Sequence, residues 1–272
     1  MTSVFPEFIE QSLARAHVSW LPHLRAGLQA MAVARPAYFI SLAQSEFLPT
    51  EHRLFAAFSL PLAAVRFVLF GEGPYPRVDS ATGVCFMDGA VDTLWSAGVG
   101  LSKQVNRATS LRNFIKMLLV AEGVLASDNT NAGALRSVST LTCAVDSGWI
   151  QTGAELQSNL MQQGFLLLNA SLVFRPQVAP AEDANAWLPF LKVVLGALIV
   201  QHEMNHASPK DRIVPAKAVQ LVLWGKIAEK ILVLPEAKRF QLLQSEHPYN
   251  LSFIGNKTMQ NLFEPLHLLH RR

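Results

Sequence analysis

Four short apolar runs constrain this chain more than any other feature. They are "VRFVLF" (Val65–Phe70), "FLLLN" (Phe165–Asn169), "VQLVLWG" (Val219–Gly225) and "FQLLQS" (Phe240–Ser245). Each is near-continuous rather than alternating, the pattern of a strand covered on both faces. Stretches of helical spacing lie between them, over Ser110–Leu125, Ala154–Gln163, Trp187–Glu203 and Gly225–Leu232, and more helix is expected from Phe8 to Met31. Strands alternating with helices predict an α/β fold with a parallel sheet. In such sheets the site forms at the carboxyl ends of the strands. That rule selects "GEGPYP" after the first run, "NAS" at the end of the second, "GK" after the third and "EHPYNLS" after the fourth.

The connections carry no repeat, low-complexity tract or linker. "RPQVAPAEDANA" (Arg175–Ala186) and "NHASPKDRIVPAK" (Asn205–Lys217) read as surface loops. Half of the 272 residues are hydrophobic and 16% are charged, an ordinary globular balance. Lysine and arginine total 23 against 20 acids, which admits a polyanionic partner without demanding one. Cys85 and Cys143 have neither metal spacing nor a disulfide framework, so a reducing, cytosolic setting is expected. "MTSVFPEFIEQ" lacks the basic start and apolar stretch of a secretory signal. The apolar run from Trp187 to Gln201 is interrupted by Lys192 and reads as a buried helix rather than a bilayer span, so no membrane partner is expected.

Several residues at the strand ends carry chemistry. Asn169 closes a buried run with an amide that offers an acceptor and two donors in one plane, which suits a nucleobase edge or a strand-end cap. His247 follows the fourth run and suits anion binding, proton transfer or a plain structural role. Tyr75 and Phe86 flank the first loop, as core aromatics or as walls for a flat ligand.

Taken together, the segments resemble the family 1 uracil-DNA glycosylases, in order and through most of the chain. "GEGPYPRVDSATGVCF" resembles that family's water-activating loop, GQDPYH, with the Gly-x-x-Phe that follows. "ATSLRN" (Ala108–Asn113) resembles its Pro-Pro-Ser-Leu phosphate loop, here without prolines. "QGFLLLNASLVFR", "VLWGKIAEK" and "HPYNLS" resemble its uracil-binding strand, its Leu-Leu-Trp-Gly strand end and its intercalation loop. The first sixty residues and the segment from about Gly123 to Gly153 match less clearly. The resemblance implies a three-layer α/β/α sandwich around a central four-stranded parallel sheet, a single domain over residues 1–272. It implies a monomer that acts on DNA containing uracil in base excision repair, in the cytoplasm with the nucleoid, with no cofactor and no metal.

It also implies roles. Asn169 would hydrogen-bond the uracil edge, Phe86 would stack on the flipped base, and Tyr75 would exclude the thymine methyl. His247 would donate toward uracil O2 as charge builds there. Leu251 would wedge into the duplex, and Ser110 and Ser252 would contact phosphates. The departures are specific. The family's acid falls on Gly73, its glutamine on Glu72, and its post-tyrosine histidine on Pro76, while Tyr249 and Asn250 replace the Ser and second Pro of the intercalation loop. A carboxylate near C1′ stabilises an oxocarbenium-like sugar, and donors stabilise the leaving base. This chain keeps the second half and lacks the first. Either Glu72, or less readily Asp79, supplies partial rescue, or the chemistry runs slowly, or the protein binds without cleaving.

One motif competes. "HEMNH" places His202, Glu203 and His206 in the HExxH pattern of zinc metalloproteases, with Glu229 downstream as a third ligand. The plainer expectation is two solvent-facing histidines at a helix C-terminus, where positive charge is favoured.

Overall fold

The structure, a computed structural model, describes residues 5–206 and 218–272. In chain order, α1 (Glu7–Leu13), α2 (Leu21–Ala34) and α3 (Tyr38–Ala43) precede β1 (Phe67–Gly71). A small antiparallel hairpin, β2 (Trp95–Ser96) with β3 (Gly100–Leu101), leads into α4 (Lys103–Arg107), α5 (Thr109–Ala121), α6 (Ala132–Thr142) and α7 (Gly153–Gln162). Then come β4 (Phe165–Asn169), α8 (Pro180–His206), β5 (Gln220–Trp224), α9 (Ile227–Ile231), β6 (Gln241–Ser245) and α10 (Lys257–Phe263).

The four expected strands form one parallel sheet in the order β4-β1-β5-β6, flanked by helices. All five residues of β4 are buried, which accounts for an unbroken apolar run. β1 pairs with β4 from Phe67↔Phe165 to Gly71↔Asn169, and the first pair of rings stacks at 4.5 Å. This register brings the "GEGPYP" and "NAS" loops out at one level.

The chain divides into two compact units. The first comprises Met1–Cys85, Gly164–Val222 and Ile227–Leu242; the second comprises Phe86–Gln163, Leu223–Lys226 and Leu243–Arg272. β5 and β6 run from the first into the second.

In the first unit α2 packs along α8, with Leu24, Leu28 and Met31 buried, as are Trp187, Phe190, Leu191 and Val194. The expected N-terminal helix is broken. α1 ends at Leu13, the His17 imidazole accepts the Ser19 N–H at 3.2 Å, and Pro22 opens α2. α8 starts well before Trp187, so Arg175–Ala186 is only in part a loop; that part lies mostly at the surface as expected, with the Arg175 side chain buried. Pro180 sits at the start with Glu182 and Asp183 in the first turn, where the helix dipole favours acids. Asp183 accepts from Arg175 at 2.7 Å and from the Tyr38 hydroxyl at 2.7 Å, and Trp187 Nε1 donates to that hydroxyl. The full α8 is long and apolar enough to cross a bilayer by composition alone, yet its large apolar residues are mostly buried in this unit. The loop expected over Asn205–Lys217 falls outside the described residues apart from the end of α8.

In the second unit α5 buries Leu111, Phe114, Ile115, Met117, Leu118 and Leu119. α10 and a 3-10 helix, Leu251–Gly255, pack against it. α7 begins with a capping box: Thr152 Oγ1 accepts the Glu155 N–H, and Glu155 accepts the Thr152 N–H.

Candidate active site

The first unit places Asn169 and the "GEGPYP" loop side by side. Beyond the paired strands the two loops stay joined: Ala170 N–H donates to Gly71 O at 2.8 Å and Ser171 N–H to Glu72 O at 3.1 Å. Gly71 has to be glycine. A Cβ there would lie 2.6 Å from Asn169 Oδ1 and 2.7 Å from Cys85 Cβ. Cys85 in turn is tied to both strands, its N–H to Leu167 O and its thiol to Leu69 O, and burial pushes the thiol pKa up. Asn169 is only 4% exposed, and its Oδ1 is buried with no hydrogen-bond partner among the described residues. Leaving such an acceptor unmet costs about 1–3 kcal/mol. The strand end therefore holds an acceptor that the fold itself does not use.

Gly73 is exposed and open. A Cβ there would meet only Ser171, at 3.7 Å and beyond, at an ordinary φ, so the position accepts a side chain without backbone strain. Glu72 is exposed, and its carboxylate lies 3.6 Å from Lys230 Nζ, the cation it pairs with in this structure. Tyr75 is half-buried, and Asp79 is exposed on a separate cavity lined by Phe8, Phe47, Leu48 and Phe174.

The second unit holds the other residues that the sequence selected as candidates. Phe86 has φ +67°, a left-handed conformation that costs a non-glycine residue about 1–2 kcal/mol. Its ring stands nearly perpendicular to Phe114 and to Trp224, each 5.1 Å away, which fixes its plane while it remains partly exposed. Trp224, the tryptophan of "VLWG", also contacts Phe253 and Phe263 and donates to Met259 Sδ. Gly225 follows in the left-handed region at φ +68°, with His247 Cβ 2.9 Å from where a methyl would sit. Both facts require glycine.

His247 is exposed, and its Nδ1 accepts the Tyr249 N–H at 3.1 Å. In the neutral ring that bond puts the proton on Nε2, which is then a donor. Tyr249 and Leu251 are each 68% exposed, while Phe253 and Ile254 just beyond them are buried and anchor the segment. Ser252 hydrogen-bonds Glu246, whose carboxylate also accepts from Asn256 Nδ2 at 2.8 Å. Burial works against ionisation of Glu246, but these donors and its own backbone N–H outweigh it and lower its pKa. Ser110 is half-buried in the first turn of α5.

Asn113 is the residue that sequence reasoning missed. It is fully buried, and its Nδ2 donates to Pro248 O at 2.8 Å, with Tyr249 O at 3.3 Å. It clamps the His247–Leu251 loop onto α5. A polar residue set within the apolar face of Leu111, Phe114 and Ile115 was the available signal, because buried polar groups require partners.

Of the HExxH residues, Glu203 pairs with exposed Arg239, and the His206 side chain lies outside the described residues. Among the described residues no cluster of three acids, histidines or cysteines suits a metal.

No protein-family model matches the chain. Curated relatives do. The chain is 25% identical over 241 residues to a uracil-DNA glycosylase of Leuconostoc mesenteroides, covering 87% of this chain and 85% of the relative. It is 27% identical over 262 residues to one from Corynebacterium glutamicum, covering 92% and 88%. Among solved structures, the wild-type UNG crystal structure from Nitratifractor salsuginis matches at a TM-score of 0.82 and 34% identity, over 98% of this chain and 96% of that one.

Proposed function

The chain belongs to the uracil-DNA glycosylase family, and on that premise we propose that it flips uracil out of DNA and hydrolyses the N-glycosidic bond. A base inside a duplex is out of reach, and extruding it costs a few kcal/mol, less where the base is mispaired. Exposed Leu251, on a segment anchored by Phe253, Ile254 and Asn113, fills the space the base leaves. The flipped ring stacks on Phe86, and Tyr75 stands against C5, where thymine carries a methyl.

The observation that carries this reading is the unmet Oδ1 of Asn169. Uracil presents an N–H donor beside a carbonyl, so one planar amide satisfies both. Cytosine presents an acceptor and an amino donor in those places and leaves both pairs mismatched. In the reaction the C1′–N1 bond breaks, water oxygen bonds to C1′, and one water proton ends on the departing uracil. His247 Nε2–H donates to uracil O2 as negative charge gathers there. Gly73 supplies no carboxylate to hold the water or the sugar cation, and Glu72, engaged by Lys230, gives at most partial rescue. The rate is accordingly below that of an enzyme with the acid in place.

Gly73 itself favours one competing reading, a protein that binds uracil-containing DNA without cutting it. Release of free uracil from a labelled duplex, read by alkaline cleavage at the abasic site, separates the two. We expect release, and loss of release in His247→Ala. Tight uracil-dependent binding with no release would establish the binder instead.

A further inference from the structure

From Thr93 to Ala121 the sequence has no acid and four cations, Lys103, Arg107, Arg112 and Lys116. α4 and α5 carry all four, beside the turn that holds Ser110. Among the described residues none of them pairs with a carboxylate, although Glu122 and Glu155 in the same unit do find cationic partners. Arg112 is instead held by neutral acceptors. Its Nη1 donates to Asn106 O at 3.0 Å and its Nε to Asn113 Oδ1 at 3.4 Å, which leaves its charge uncompensated. Lys116 lies one turn further along the same face of α5. Burial first, then the Arg112 charge, lowers its pKa, so the two cations repel each other in the free protein. A face that concentrates like charge without counter-charges gains most from a polyanion.

We propose that Arg107, Arg112 and Lys116 form a phosphate-tracking stripe that extends the DNA footprint beyond the Ser110 turn. Where the family's phosphate loop is stiffened by prolines, this chain has Arg107-Ala108-Thr109. Charge on α4 and α5 supplies contact that loop rigidity does not. The stripe adjoins the wedge loop through Asn113, which accepts from Arg112 and donates to Pro248 O. The proposal rests on the glycosylase reading for its partner, DNA, but its readout does not need cleavage.

The test is the salt dependence of binding to a duplex without uracil. Neutralising a phosphate contact flattens the slope of log affinity against log salt by about 0.9. Arg107→Gln and Lys116→Gln, neither of which removes a hydrogen bond within the fold, are each expected to flatten it by that amount. The triple variant with Arg112→Gln is expected to flatten it by about three times as much. Lys238→Gln, an exposed cation elsewhere, is expected to keep the parent slope. A folded Arg107→Gln/Lys116→Gln protein with the parent slope would overturn the stripe, and so would an equal effect from Lys238→Gln. Failure of the parent to release uracil would instead sink the enzymatic reading and leave the slopes to decide the stripe.

Discussion

Single residues position the chemistry by what they hold still. Asn113 donates its amide protons to the carbonyls of the His247 loop from a fully buried position. Asn113→Asp keeps the shape, removes the donors and sets a carboxylate against carbonyl oxygens. We expect it to destabilise the protein by about 1–3 kcal/mol or more in urea unfolding. We also expect it to slow single-turnover uracil release while Asn169 and Phe86 remain intact. Gly225 acts on the same loop from the residue just after β5. Gly225→Ala forces a methyl into a left-handed residue and against His247 Cβ. The conformation alone costs about 1–2 kcal/mol. The expected outcome is a lower melting temperature, with release reduced more than DNA affinity, because the displaced group is the proposed donor to the leaving base.

At the scale of elements, the segment from β6 to α10 is held by charge as well as by packing. Glu246 has its pKa lowered from 4.5 by hydrogen bonds that outweigh its burial. A carboxyl with a depressed folded pKa contributes stability above its unfolded pKa and loses it as pH falls toward the folded one. The parent should therefore lose more stability than Glu246→Gln as pH drops below 4.5, with the two unfolding curves running parallel above it. Equal pH dependence below that point would show that the Glu246 carboxylate does not stabilise this segment.

Elements also show what the sequence made legible. β4 was readable to the residue because both its faces are buried and its run is unbroken. β1, β5 and β6 shifted by only one or two residues. The start of α8 was not legible: proline, glutamate and aspartate look like a loop unless Arg175 is known to bury its charge on Asp183. The strand ends delivered Asn169, Tyr75, Phe86 and His247 as candidates. Asn113 escaped because its partner lies 135 residues away, and the strain at Phe86 escaped because φ is invisible in a sequence.

At the scale of the whole molecule, the first unit carries Asn169, Tyr75 and the loop with Gly73, and the second carries Phe86, His247 and the Leu251 loop. On the proposed function this chain retains the groups that receive a leaving uracil and lacks the acid that answers the sugar. The open, unstrained geometry at Gly73 makes that claim testable by restoration rather than by damage. The decisive measurement is single-turnover uracil release by the parent and by Gly73→Asp, side by side on one labelled duplex. We expect measurable release by the parent and release at least about tenfold faster in the variant, the low end for a positioned electrostatic or base group. A Gly73→Asp protein that folds, binds uracil-containing DNA as the parent does and cleaves no faster would contradict that expectation.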